Sequence, residues 1–330
     1  MVLVGSVPPR RAVSLPVADE SVLRRLCDQA VKIALLGLGT MGAPMARNLI
    51  QGGYDLAVFD VAPAAVQPFG ELSCRIANSP HDAARDADIV ITMLPDSAHV
   101  RDALLGSLGA CQSLKRGALV LEMSTIAASA SLAIASELNT AGFRMIDAPV
   151  GRTPRDAAAG TLLIIAGGEL ADIEQARPIF DCLADTIVHA GPQGHGIKLK
   201  LVNNYMSTVG SVLTAEALTL ANKAGLDRGI TVKVLSATTA GRGQLLVNFP
   251  NKVLAGDVTP DFPLRMAHKD VSHALALGAQ VGSPLLLGAI ARELFSLAGP
   301  WGRGDQDWTA TLLLLEDLAR ADHLPAQSNS

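Results

Sequence analysis

Val31-Lys32-Ile33-Ala34-Leu35-Leu36 is an apolar run of strand length, and Gly37-Leu38-Gly39-Thr40-Met41-Gly42 follows it without a gap. Ala43 to Gln51 then carries helical periodicity and stops at Gly52-Gly53, and a second apolar run, Leu56-Ala57-Val58-Phe59, ends on Asp60. Strand, glycine turn, helix, strand and an acid roughly 20 residues on form the full context in which G-x-G-x-x-G binds a dinucleotide. Gly37 permits the tight turn, Gly39 lets backbone N–H groups reach a pyrophosphate, and Gly42 lets the helix pack closely. Thr40 and Met41 complete the expected phosphate-side loop. Asp60 is expected to accept hydrogen bonds from the adenosine ribose hydroxyls. Val61 beside it offers no cation to a 2′-phosphate, so NAD is expected rather than NADP.

The βα pattern continues. Asp88–Leu94 and Ala118–Met123 read as strands, the first ending at Pro95 and the second at Ser124-Thr125. Ligands of doubly wound sheets bind outside the carboxyl ends of the strands, which places Leu94, Ser124 and Thr125 beside the nicotinamide half of the cofactor. Helical patterns dominate from about residue 193, with Gly225, Pro250, Pro260 and Pro284 punctuating further helices at about 228–238, 264–280, 284–298 and 308–320. The expected architecture is an α/β Rossmann domain at 31–192, doubly wound and mainly parallel. An all-α domain at 193–330 follows, beginning with a long interdomain helix. Residues 1–30 read as an extension; a short helix near Ser21–Ala30 fits, and Asp19, Glu20 and Asp28 break any signal-peptide pattern.

Composition narrows the function. With 49% hydrophobic and 18% charged residues the chain is globular, and a net charge of -4 gives no electrostatic reason to expect nucleic acid or an anionic membrane. Cys27, Cys74, Cys111 and Cys182 are scattered without a CxxC pair, which fits neither a zinc site nor a disulfide framework and suits a reducing cytoplasm. His268 and His273 lie five apart, the wrong spacing for two ligands on one helical face, so no metal is expected.

The strongest chemical signal is Gly196-Ile197-Lys198-Leu199-Lys200-Leu201-Val202-Asn203-Asn204-Tyr205-Met206-Ser207. As a helix it sets Lys200, Asn203, Asn204 and Ser207 at i, i+3, i+4 and i+7, on one face. The rest of the circumference is mostly apolar, and the helix is expected to be buried almost all round. An ammonium and two amides in such a helix are costly unless they line a cleft.

Four separated blocks, GLGTMG at 37–42, MST at 123–125, DAPV at 147–150 with Gly160-Thr161-Leu162, and GIKLKLVNN at 196–204, resemble the β-hydroxyacid dehydrogenase family over residues 31–318. The resemblance implies that Lys200 is the catalytic acid/base, that Asn204 orients the substrate, and that Lys269 lies over the nicotinamide side. It also implies a homodimer or homotetramer associating through the helical domains. Most of the family follows DxPV with Ser-Gly-Gly, whereas this chain has Gly151-Arg152-Thr153. A guanidinium is a rigid, permanently charged fork suited to a strong oxyanion such as a sulfonate. The loop and Asn-Asn-Tyr-Met-Ser look like the branch of the family that reduces a sulfonated aldehyde, where Arg152, Asn203, Asn204 and Ser207 would hold the substrate and Ser124 would bond it. Arg152 paired with Asp156 on the surface is the competing reading. Within the family the alternative is a carboxylate substrate such as 3-hydroxyisobutyrate, tartronate semialdehyde or succinic semialdehyde. From another class, it is a non-catalytic NAD-binding scaffold.

Overall fold

The computed structural model describes residues 31–223, 225–237, 244, 247–281 and 285–321. The N-terminal extension with its candidate helix and Pro284 lie outside these residues. Nine strands form one sheet: β1 (Lys32–Leu36), β2 (Asp55–Phe59), β3 (Arg75–Ile76), β4 (Ile89–Thr92), β5 (Leu119–Glu122), β6 (Arg144–Asp147), β7 (Val150–Gly151), β8 (Leu162–Gly167) and β9 (Ala184–Gly191). The principal helices are α1 (Gly42–Gln51), α2 (Ser97–Leu105), α3 (Ala128–Thr140), α4 (Pro154–Ala159), α5 (Leu170–Leu183), α6 (His195–Lys223), α7 (Arg228–Ser236), α8 (Leu264–Val281), α9 (Leu286–Leu297) and α10 (Thr311–Ala319).

The sheet runs β3-β2-β1-β4-β5-β6-β8-β7, with β9 on β8, and the first six strands in that order are all parallel. Both faces are covered, so the strands read as continuous apolar runs rather than alternating ones. In β1, Ile33 and Leu35 join the core on one face while Ala34 and Leu36 join the core on the other. Parallelism ends at β8, which pairs antiparallel with β6 and β7. Segment 152–161 is too short for the crossover of a dozen or more residues that a parallel return needs, so the chain folds straight back. β9 then runs parallel to β8 after the α5 crossover.

α6 leaves the sheet where β6 and β8 end. Asp147, fully buried, accepts hydrogen bonds from the backbone N–H groups of Gly194 at 2.6 Å and Ile197 at 2.7 Å. These are donors that a helix start leaves without intrahelical partners, and a carboxylate there complements the helix dipole. Gly196 is obligatory at this junction because a Cβ would be driven into the carbonyl oxygens of Ile165 and Asp147, the latter at 2.5 Å.

Beyond the junction α6 is the spine of the helical part. Ile197 and Leu201 pack with Ala128. Val209 and Val212 join Leu264, Ala267 and Val271 of α8, Phe295 of α9 and Leu314 of α10. Ala215 and Leu218 meet Phe249 and Leu312. The expectation of burial almost all round is corrected here, since Leu199, Val202, Met206 and Leu213 are exposed, Met206 at 79%. Sequence periodicity marks a residue as apolar without saying whether its cover comes from the same chain.

Replacing Gly196 with Ala should lower stability by on the order of 2 kcal/mol, because the overlap falls on backbone atoms that cannot rotate away. Urea unfolding measures it, and an unchanged midpoint would show that α6 can shift away from the sheet.

Candidate active site

The glycine turn lies at the carboxyl end of β1. Gly37 has φ +102°, a conformation that favours glycine, and a Cβ there or on Gly42 would collide with backbone carbonyls. At Gly39 a Cβ would meet open space, which leaves room for a ligand to approach the turn from that side. Met41 precedes α1 with no side-chain cap; the Ala43 N–H already donates to the Gly39 carbonyl at 3.0 Å and Pro44 has none, which leaves the Gly42 N–H as the first-turn donor for an anion. Gly39 and Thr40 are exposed and Met41 is half-buried. Asp60 accepts from the N–H groups of Leu38 at 2.7 Å and Ala62 at 2.8 Å, so it braces the glycine turn as well as facing the expected ribose position. It borders a groove lined by Val61, Val66, Gln67, Ile76 and Asn78, where an adenosine would rest against apolar side chains. These residues fit a dinucleotide.

The next two strand ends are stitched to each other. Ser124 accepts from the Leu94 N–H at 2.9 Å and its own N–H donates to Glu122 at 2.8 Å. Ser124 is buried with its hydroxyl taken up locally, so the expected contact with substrate requires that bonding to be given up. From the helical part, Lys269 of α8 donates to the carbonyl oxygens of Pro95 at 3.0 Å and Thr125 at 3.2 Å. One ammonium therefore ties α8 to both loops, where Leu94 and Thr125 were expected to flank the nicotinamide.

Beside this clasp stands the stripe on α6. Lys200 keeps partial solvent access, Asn203 is exposed, Asn204 is buried and Ser207 is half-buried. Asn203 donates to the Asn204 carbonyl at 3.2 Å, and Asn204 donates to Asp270 at 2.6 Å. Asp270 is buried and lies 3.3 Å from the Lys269 ammonium. Burial pushes Lys200 below the ordinary lysine range, Asp270 opposes that shift, and Lys269 adds to it. The result is an ammonium that can surrender its proton more readily than a surface lysine.

Asp270 is the residue that sequence reasoning missed. Following Lys269 on a helix, it looks like half of a solvated charge pair, and only the packing of α8 on α6 turns it toward Asn204 and Lys200. Arg152 also departs from expectation. Its guanidinium binds Asp185 at 2.6 Å, Thr186 at 3.0 Å and the Thr161 carbonyl, while Asp156 instead closes a capping box with Thr153 at the start of α4. The groups that set the Lys200 shift are Asp270 and Lys269, so Arg152 does not share that task. Arg152 nonetheless has φ +77°, a left-handed backbone where glycine is at ease and a long side chain is not. Arg303, between two glycines, is anchored to Asp317 at 2.7 Å and stays outside the site. Among the described residues no group of three or more His, Cys, Asp or Glu could hold a metal ion, and no helix is long and apolar enough to cross a membrane.

Comparison with known proteins bears on both parts of the chain. Residues 32–191 match the NAD-binding domain of 6-phosphogluconate dehydrogenase, and residues 194–315 match the NAD-binding region of NADP-dependent 3-hydroxyisobutyrate dehydrogenase. The chain is 45% identical over 280 residues to 3-sulfolactaldehyde reductase of Escherichia coli, covering 85% of this chain and 94% of that protein. It is 35% identical over 291 residues to NAD-dependent L-serine dehydrogenase of Pseudomonas aeruginosa, covering 86% and 98%. Among solved structures, 3-hydroxyisobutyrate dehydrogenase of Mycobacterium tuberculosis with L-serine superposes with a TM-score of 0.80 at 30% identity, covering 87% and 99%. With its glycine turn, its mainly parallel sheet and its helical second half, the chain belongs to the 3-hydroxyisobutyrate dehydrogenase family of β-hydroxyacid dehydrogenases and is an NAD-dependent oxidoreductase.

Proposed function

We propose that this enzyme reduces a small anionic aldehyde, 3-sulfolactaldehyde, to 2,3-dihydroxypropane-1-sulfonate, with Lys200 as the general acid. The observation that carries the reaction type is the cluster of Lys200, Asn204, Asp270 and Lys269 below the ends of β4 and β5. When bound, NADH supplies the hydride that adds to the aldehyde carbon. Lys200 Nζ donates a proton to the carbonyl oxygen as charge develops there, leaving an alcohol and a neutral amine. Asn204, oriented by Asp270, holds the substrate against the lysine, with Asn203 and Ser207 on the same face. The carboxylate of Asp60 and the absence of a cation at Val61 favour NAD over NADP.

The substrate class rests on Arg152. The family places a small glycine loop at this point, and here an arginine accepts an unfavourable φ, a strain of about 1 kcal/mol or more. In the proposed reaction the sulfonate takes the place of Asp185 on the guanidinium fork, an exchange of one exposed anion for another. The similarity to a 3-sulfolactaldehyde reductase supports this choice over a carboxylate. A scaffold without catalysis is disfavoured by Lys200 standing in its full setting.

We further propose residues 31–192 as the cofactor domain and 193–330 as the substrate and association domain, in a cytoplasmic homodimer or homotetramer. The exposed apolar stripe Leu199, Val202, Met206 and Leu213 supports association, and the free thiols of Cys74, Cys111 and Cys182 support a reducing compartment.

Lys200→Ala should abolish turnover while NADH binding, followed by nucleotide fluorescence, persists; retained turnover would remove the lysine from the mechanism. Arg152→Gly should keep the melting temperature within a few degrees, because relieved strain offsets one exposed ion pair. It should lose its preference for the sulfonate in NADH oxidation with aldehydes matched in all but sulfonate or carboxylate. A carboxylate preference in the wild type, unchanged by the substitution, would falsify the substrate assignment. Asp270→Asn removes the group that holds the Lys200 proton, so the alkaline limb of aldehyde reduction should move to lower pH. An unmoved limb would contradict the coupling.

A further inference from the structure

Glu122 closes β5 and Asp147 closes β6, and the two are register partners in adjacent parallel strands, both fully buried. Side chains of such partners share a face of the sheet, with backbones about 4.8 Å apart. Two carboxyl groups so close, away from water, cannot both carry charge cheaply. Their bonding tells them apart. Asp147 has each oxygen on a backbone N–H at the start of α6, which stabilises its ionised form. Glu122 receives the Ser124 N–H on Oε1 and a long contact from the Thr92 hydroxyl at 3.5 Å, while Oε2 is buried with no partner. An unpaired oxygen in that setting disfavours the anion.

Among the described residues, the charged group that acts on Glu122 is Asp147 of β6. β4 offers the Thr92 hydroxyl, and the loop after β5 offers Ser124. Burial pushes Glu122 up to about 8 against the pull of Ser124 and Thr92, with Asp147 adding to the rise. Burial also moves Asp147 up to about 6, restrained by the N–H groups it accepts.

We propose that Glu122 is a positioning residue that works as a neutral acid: it keeps the Ser124 loop in register beside the ionised Asp147, which anchors the helix bearing Lys200. Loss of its proton sets two like charges between the loop and that helix and loosens the join on which the site is built. The enzyme would then carry an alkaline limit separate from the titration of Lys200. The sign for stability follows the same way. A folded-state value above the unfolded one means stability is fully present below the ordinary carboxylate range and is lost as pH rises toward about 8.

The link to activity rests on the reading of Lys200 as the proton donor; the protonation state itself does not. The test compares wild type, Glu122→Gln and Glu122→Ala with saturating NADH across the neutral and alkaline range. Gln keeps an uncharged group with the same acceptor. Its kcat/KM near neutrality should fall by no more than about threefold, and its alkaline limb should move upward by about one pH unit, whereas Ala should lose about tenfold throughout. Its melting temperature should also stop falling between about pH 6 and about pH 8, where the wild type declines. An alkaline limb shared by wild type and Gln variant overturns the proposal. Should the variants fail to fold, infrared spectra of wild type labelled at the glutamate side-chain carboxyl decide it. A protonated glutamic acid band near neutrality, vanishing above about pH 8, supports the proposal, and carboxylate bands alone overturn it. If Lys200→Ala stays active, the catalytic reading falls while the infrared result still reports on Glu122.

Discussion

The clasp between Asp147 and the first turn of α6 is the interaction on which the rest of the molecule depends. It joins the carboxyl edge of the sheet, where a dinucleotide fits, to the helix carrying Lys200, Asn203, Asn204 and Ser207. The glycine at 196 makes the joint tight, because the helix backbone lies directly against strand carbonyls. A buried carboxylate with each oxygen on an N–H group at a helix start holds that turn in place, so the direction of α6 is set by chemistry rather than by loop entropy. Lys269 makes a second joint by reaching from α8 to the carbonyls of Pro95 and Thr125.

Between those joints the site is a balance of a few charges in a poorly solvated place. Burial and Lys269 press Lys200 toward the neutral amine while Asp270 holds its proton. Proton donation is efficient when neither form is overwhelmingly favoured, and this arrangement moves a lysine in that direction. Asp270 serves twice, since the carboxylate that faces the ammonium also receives the Asn204 amide. In the proposed mechanism the asparagine that would hold the substrate and the lysine that would act as the acid share one support.

Much of this was legible in the chain because it is written in local pattern. The run from Val31 to Asp60 names its own strand, turn, helix and strand, and α6 ends at Lys223 just before Gly225, where a helix stop was expected. The stripe of Lys200, Asn203, Asn204 and Ser207 needed only a period of 3.6. What escaped depends on distant packing. Asp270 gains its meaning from α6, Arg152 from Asp185 on the outer strand, and Glu122 from lying level with Asp147. The reversal at β8 follows from a connection too short to cross over, and the exposure of Met206 on α6 follows from how the helices pack on one another.

Selective labelling of lysine side-chain nitrogens, followed by an NMR titration of the enzyme with Lys200→Arg used to assign the resonance, measures the central quantity directly. Lys200 should lose its proton well below the other lysines, at a pH that drops further when Asp270 is made neutral. A Lys200 resonance that titrates together with the surface lysines would contradict the account of a buried, charge-balanced proton donor.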